Sequence, residues 1–436
     1  MNDKATANFV TAFEMSGNEL PGAGGWLARR RSAAVKAFAE SGLPHRRLED
    51  WKYTDLRQAL DKAGFAPAPE HKGAVILPET SAATAFASID AFRLVFVNGR
   101  FHEGLSESVR LPKGVELHRL ADVLSEQWAK TLIERRMDEA RQAENIVELN
   151  TALMADGMAL RIRKGVTLDK PLHLVFVAAD AGASHTRNLV LLEEGAEASI
   201  LESHLGGKAA LADIVTDVEL GAGATLRHVK LQDETADAVH ISTLRATLAA
   251  KARLESFTLT LGCGLSRSQN FIRFEGEGAH ASVDGAYALR AKQHFDTFSV
   301  VDHAVPACTS HTLFKGVLDG EAEGVFQGKV IVRPNAQKTD GRQMTQALLL
   351  SRDASMNAKP ELEIYADDVQ CAHGSTVGEL SKDAIFYLRS RGIPKAEARR
   401  LLVLAFLEEA IELAPHKEAR EIFRDLVSGW FEEAAS

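Results

Sequence analysis

EEGAEASI at 193–200, LGAGATLR at 220–227, LAAKARLE at 248–255 and GEGAHASV at 276–283 carry one pattern: a small-residue turn, an alanine, then alternating small and apolar positions. The central alanines, Ala196, Ala222, Ala250 and Ala279, are spaced by 26, 28 and 29 residues, and LDGEAEGVF at 318–326 reads as a later copy. A repeat of this length is the signature of a solenoid, in which each unit buries its apolar face only against its neighbours. Short strands between the turns make the solenoid a parallel β-helix. The competing reading is a β-sandwich, which also produces many turns. The regular interval, with Asn335, Gln337, Gln343 and Gln346 as candidates for a polar ladder, favours the β-helix over about 160–377.

Outward from this core, the periodicity becomes helical on both sides. RRRSAAVKAFAESGLP predicts a helix ending at Gly42, and SEQWAKTLIERRMDEARQAENIVELNTALMADG predicts helix over most of its length. Between them, FRLVFVNGRF predicts a hairpin turning at Asn98–Gly99. Beyond Ser381, PKAEARRLLVLAFLEEAIELAP predicts a helix between Pro394 and Pro415. LLVLAFL, at 401–407, is apolar all round and is expected to be covered on more than one side. KEAREIFRDLVSGWFEE carries two apolar stripes, Ile422, Leu426, Trp430 and Phe423, Val427, Phe431, suited to capping the solenoid or to holding a partner. The division is 1–150 mainly helical, 151–380 β-helix, and 381–436 helical.

The 436 residues suffice for a sizeable core, and 45% hydrophobic with 25% charged content is ordinary for a globular protein. A net charge of −9 argues against nucleic acid or an anionic membrane as partner. The longest apolar run is far short of the roughly 20 residues that span a bilayer. The N-terminus shows no cationic head followed by an apolar core, so a cytoplasmic setting is expected. Three widely spaced cysteines, Cys263, Cys308 and Cys371, do not form a disulfide framework.

Nucleotide-binding and common hydrolase motifs are absent: GVFQGKV at 324–330 has neither the spacing nor the hydroxyl of a phosphate loop. His303, Cys308 and His311, within VDHAVPACTSHTLFKG, supply metal-type ligands without an evident fourth. VQCAHGSTVG at 369–378 is sharper. Cys371 and His373 lie two apart on a strand, so both side chains face one way. A thiolate and an imidazole there make a half-site for iron that a second chain must complete. The alternatives are an imidazole-activated thiol enzyme, an inert packed pair, or an unrelated β-helix enzyme acting on polysaccharide.

The stretch from QGKVIVRPNAQKTDGRQMTQALLLSRD at 327 through VQCAHGSTVG and on to LLVLAFLEEAIE closely resembles the shared core of the SufB/SufD family of iron–sulfur cluster assembly proteins. RRLEDWKYTDLR at 46–57 resembles the family's N-terminal signature, and NTALMADGMALRIRKGVTLDKPLHL at 150–174 the start of its β-helix. Val-x-Cys-x-His-Gly, with Gly374 where SufB has a glutamate, is similar to the SufD pattern. The resemblance implies a right-handed parallel β-helix flanked by helical regions. It implies a non-catalytic scaffold that joins SufB and two copies of the SufC-type ABC ATPase, and a possible homodimer when isolated. Its cofactor expectation is none tightly bound in the isolated chain, but a transient iron or iron–sulfur cluster in the complex, with His373 and Cys371 as interface ligands. The ATPase docks on the C-terminal helices, where Trp430 and Phe431 are the expected anchors. Trp51 and Tyr53 are expected to pack the N-terminal region onto the β-helix.

Overall fold

The computed structural model describes residues 4–433 apart from 61–65, 69, 72–74, 76–83, 108–109, 138–143 and 207–208. In chain order the N-terminal helices are α1 (Lys4–Ser16), α2 (Gly25–Ser41) and α3 (Leu56–Leu60). A hairpin follows, β1 (Phe92–Val97) and β2 (Arg100–Phe101), turning on Asn98 and Gly99 with φ of 50° and 73° as the Asn-Gly pair requires. Then come β3 (Val115–Arg119), α4 (Leu120–Val123), α5 (Gln127–Glu134) and α6 (Glu144–Leu153). The long helix expected across 125–157 is thus not continuous. Arg135 turns to extended geometry (φ −60°, ψ 130°), and its guanidinium reaches Thr247 Oγ1 at 2.7 Å and the Glu219 carboxylate. The part of that stretch at 138–143 lies outside the described residues.

Sixteen strands follow without an intervening helix. They are β4 (Met158–Ile162), β5 (Leu172–Ala178), β6 (Gly182–Leu192), β7 (Glu197–Gly206), β8 (Ala210–Leu220), β9 (Thr225–Glu234), β10 (Val239–Leu248), β11 (Arg253–Thr260), β12 (Leu265–Phe274), β13 (His280–Leu289), β14 (His294–His303), β15 (Thr309–Leu318), β16 (Glu323–Val332), β17 (Asp340–Leu349), β18 (Ser355–Ile364) and β19 (Gln370–Gly378). Even strands form one sheet and odd strands the other; from β6 on each is parallel to the strand two before it, while β5 pairs parallel with β1 and β4 antiparallel with β3. The product is a parallel β-helix of two strands per coil, as the repeat predicts.

The phase of the repeat differs from the expected one. The corner leading into each odd strand stacks Ala196, Ala224, Ala252, Ala279, Cys308 and Thr339. Each carbonyl in turn accepts the amide of the first residue of the strand above: Thr225 to Ala196 at 2.9 Å, Arg253 to Ala224 at 2.8 Å, His280 to Ala252 at 2.9 Å, Thr309 to Ala279 at 3.0 Å. All six are buried, because the two sheets converge there and leave room for little beyond a methyl group. Ala196 and Ala279 are equivalent as expected; Ala222 and Ala250 sit two residues early, in the turns themselves. LDGEAEGVF lies at the opposite corner, between β15 and β16. Asn335 and Gln337 occupy a turn, while Gln343 and Gln346 project from opposite faces of β17, so the four form no ladder.

The two outer faces are covered by different chemistry. Over the even-strand sheet the N-terminal region meets buried charge. Asp217 accepts from Arg187 Nε and Arg245 Nε at 2.6 Å each, and Arg267 pairs with Asp296. Over the odd-strand sheet lie α8 (Lys395–Ile411) and α9 (Lys417–Glu433), with α7 (Lys382–Ser390) packed on α8, and an apolar seam that includes Phe257, Leu259, Val317, Val403, Leu407, Phe423 and Val427. Each such side chain contributes about 1.5–3 kcal/mol on burial. These helices therefore lie along the flank of the solenoid instead of capping its end. The 401–407 run is covered on one side only, with Val403 and Leu407 buried and Leu401 and Ala405 exposed.

Candidate functional site

The even-strand sheet ends on β18 and the odd-strand sheet on β19, and among the described residues no strand pairs with either outer edge. β19 forms because the preceding coil dictates it. Gln370 N–H donates to the Thr339 carbonyl at 2.8 Å, and Asp368 N–H to Gln337 Oε1 at 2.8 Å. Register then sets Cys371 over Gly341 and His373 over Gln343. Side-chain alternation turns both residues towards the space between the sheets. Cys371 is half-buried against Val330, Val332, Ala336 and Leu362, with its Sγ 3.5 Å from where a Cβ on Gly341 would stand. Gln343 is buried beneath His373 and donates to the Glu361 carbonyl at 2.9 Å, whereas His373 is exposed because the coil stops there. Ile364, Tyr365 and Val377 leave apolar surface uncovered at the same end. A Cβ at Gly374 would stand 2.7 Å from the Met344 methyl, so the position is tight against a flexible neighbour.

Burial pushes the Cys371 thiol up, partly offset by the Gly341 backbone, and the nearby Asp340 carboxylate pushes it the same way as burial. The thiol keeps its proton near neutral pH, contrary to what an activated nucleophile requires.

The other metal-type residues singled out in the sequence, His303, Cys308, His311 and Cys263, do not converge. Cys308 fills its place in the corner stack, with Sγ 3.4 Å from the Gly276 carbonyl. His303 points inward to Ser310 Oγ at 2.9 Å, and burial holds it down to about 4. His311 lies on the outer face, paired with Asp284 at 2.9 Å. Cys263 is buried, its Sγ 3.0 Å from the Ala238 carbonyl, and its thiol is pushed up by burial.

Trp51 is fully buried, with the Arg267 guanidinium 3.8 Å over its ring, and Thr54 donates to Asp296 at 2.5 Å. That stack fastens the N-terminal region to the β-helix. Tyr53 is half-buried at a cleft of about 610 Å³ also bordered by Arg46, Lys292 and His294. Trp430, expected to stand out as a partner anchor, is 5% exposed; it packs into the α9 seam with Arg290 at 4.7 Å over its ring. Phe431 is half-buried beside it. The helix's broad apolar surface is spent on the flank of the solenoid. Open apolar surface in the C-terminal region lies on α7, where Phe386 is 74% and Tyr387 58% exposed.

Sequence reading missed a polar interior. Glu202 and His204 on β7, His228, Lys230, Gln232 and Glu234 on β9, and His240 on β10 are all buried. The available signal was strict alternation: HVKLQDE places His, Lys, Gln and Glu on one face of β9 and Val229 and Leu231 on the other. Side chains that meet across neighbouring coils lie about a repeat apart, which no local motif reveals.

Comparison with known proteins follows the same outline. Residues 175–406 match the family model of the SufBD core domain of the SUF system for iron–sulfur cluster assembly, and residues 5–174 match the SufBD N-terminal region. A SufBD family iron–sulfur cluster assembly protein of Synechocystis is 32% identical over 92% of this chain and 90% of its own. The iron–sulfur cluster assembly protein SufD of Escherichia coli is 31% identical over 87% of each chain. Among the described residues no helix is long and apolar enough to cross a membrane. The chain belongs to the SufBD family of iron–sulfur cluster assembly proteins and is of the SufD-like kind.

Proposed function

We propose that this chain is a non-catalytic scaffold subunit of an iron–sulfur cluster assembly complex. It pairs at its open end with a SufB-type paralogue, and it holds a SufC-type ABC ATPase on its C-terminal helices. The observation that supports this most is the coincidence of three features at one end of the solenoid: unpaired edges of β18 and β19, uncovered Ile364, Tyr365 and Val377, and the adjacent Cys371 and His373. Unpaired strand edges are templates for another chain. In the complex, His373 and Cys371 contribute ligands to iron or a nascent cluster, and the partner contributes the rest. Iron here is cargo, held transiently. For the ATPase, the exposed pair Phe386 and Tyr387 on α7 replaces Trp430 and Phe431 as the favoured anchors, since uncovered aromatics carry binding energy that buried ones cannot offer. The setting is cytoplasmic, with no nucleic-acid or membrane partner.

The test is co-expression with SufB-type and SufC-type chains from the same organism and isolation through a tag on this chain. A complex containing all three is expected. Charged residues placed at Ile364 and Val377 should release the SufB-type chain and retain the ATPase. Retention of the SufB-type chain by that folded variant would refute pairing through the open end.

A further inference from the structure

Inside the β-helix, well below the open end, two histidines are held in a manner that leaves them short of one partner each. His240 sits just after the turn that follows Glu234. Its Nδ1 lies 2.7 Å from Glu234 Oε1, and the other carboxylate oxygen accepts from Gln232 Nε2 at 2.6 Å. His204, one coil earlier, places Nε2 3.1 Å from Glu202 Oε2. A carboxylate only accepts, so in each case the proton sits on the nitrogen facing it. His204 Nδ1 and His240 Nε2 are left as bare lone pairs, buried and without a donor. The rings meet edge to face with centroids 4.8 Å apart, and Phe176 stacks on His204 at the same distance. His204, Glu234 and His240 each offer a ligand atom within 4.8 Å of the other two. His204 and Glu234 also line a void of about 20 Å³ between the sheets, room for a single ion or water. Two buried carboxylates, Glu202 and Glu234, face one lysine, Lys230, and the imidazole of His228, whose Nε2 lies 3.2 Å from Glu202 Oε1, so with that imidazole neutral the enclosure favours a cation.

We propose that His204, His240 and Glu234 form a binding site for one divalent first-row transition cation of the zinc or ferrous class, enclosed in the solenoid and separate from the open-end pair. Imidazole and carboxylate donors suit that class. Glu202 orients the His204 ring through its Nε2, as carboxylates commonly do around metal-bound histidine. The ion takes the place of the proton between Glu234 and His240 Nδ1, and that proton moves to the bare His240 Nε2. Tetrahedral donors around such an ion stand about 3.4 Å apart, so binding parts Glu234 and His240 slightly from their 2.7 Å contact and brings His204, within 4.8 Å of both, up to the ion.

The probe is Co²⁺, with Zn²⁺ for content. The full chain carrying Cys371→Ser and His373→Ala, which removes the open-end ligands, is refolded with each metal and passed through a chelating column. About one equivalent of metal per chain is expected, with visible d–d absorption from Co²⁺. A folded parent that retains no metal overturns the proposal. Adding His204→Gln and His240→Gln should lower retention at least tenfold; undiminished retention by the folded variant overturns it as well. Should the variants not fold, proton NMR of the Co²⁺-loaded parent decides. Two strongly shifted, exchangeable imidazole N–H signals are expected, and none or a different number overturns the assignment. Loss of the interior site and loss of SufB-type pairing are read in separate assays, so either can fail alone.

Discussion

Replacing His373 by alanine separates a ligand from a packing residue. The imidazole is exposed on the outermost strand, and among the described residues it has no hydrogen-bond partner. Its removal therefore empties no cavity and orphans no buried group. The expected change in unfolding free energy is within about 0.5 kcal/mol, the range for surface substitutions away from special features. Cys371→Ala, which trims a half-buried side chain against Val330 and Leu362, should cost about 1 kcal/mol. If His373 supplies one of a few ligands to a shared iron site, losing it removes a share of a metal-binding free energy of about 10–16 kcal/mol. Retained iron should then fall at least tenfold, which requires about 1.4 kcal/mol. The assay has three readouts: urea unfolding of the isolated chain, recovery of the SufB-type and ATPase chains, and iron and acid-labile sulfide per complex. The expected result is unchanged stability, an intact complex and depleted iron. A stability loss of 2 kcal/mol or more, or unaltered iron in an intact complex, would refute the ligand role.

Four further outcomes follow from the same geometry. Asp217→Ala leaves Arg187 and Arg245 buried without their shared carboxylate, and should lower unfolding free energy by about 3–5 kcal/mol in denaturant titration. Cys308→Ala should be tolerated within about 1.5 kcal/mol, while Cys308→Leu overfills the corner and should cost more, with altered near-ultraviolet circular dichroism. Trp430→Ala should destabilise by about 3–5 kcal/mol; Phe386→Ala with Tyr387→Ala should leave the thermal midpoint in place and weaken ATPase binding measured by calorimetry. Burial holds His173 down to about 3 and His303 down to about 4, against 6.5 when unfolded. The unfolded chain thus takes up protons that the folded chain refuses, and stability falls as pH drops from about 6 towards 4. The slope at its steepest is about 1.4 kcal/mol per pH unit for each histidine; His240, held down to about 4, adds a like contribution, and His303→Gln should remove one of the three.

Local chemistry was legible where one residue type fits. Asn98–Gly99, Gly42 and Pro394 each stand where backbone geometry demands them. The β-helix itself was legible because each coil repeats the same spacing. Its phase was not. Glycine and alanine fill both the turn and the corner, so LGAGATLR offers Ala222 and Ala224 equally, and only the amide ladder between coils selects Ala224. The shared face of Cys371 and His373 follows from strand alternation, but their position at the end of the stack depends on counting coils to the last. Trp430 failed for a general reason: an amphipathic stripe shows that something covers a helix, and here the cover is the chain's own flank. The interior cluster was invisible because its members meet across coils, with Glu202 beside Lys230 and His204 beside Gln232 in register.

A stack of coils held only by neighbours ought to peel from its free end one turn at a time, like a zip. The helices on the flank change that. Phe423 lies 5.8 Å from Phe86 and 5.7 Å from Phe257, so the tail of the polypeptide is pinned to its beginning and its middle at once. Such far-separated contacts form late, since a long loop must close before they are rewarded. On a ribosome, the coils through β17 have emerged before α9 exists, and they wait with the seam bare. Once α9 lands, peeling must lift it first, and the row of turns opens as a single latch. Hydrogen exchange should accordingly find β11 and β13 as slow as the core of a one-piece domain, and β19, which lies beyond the latch, the first strand to open.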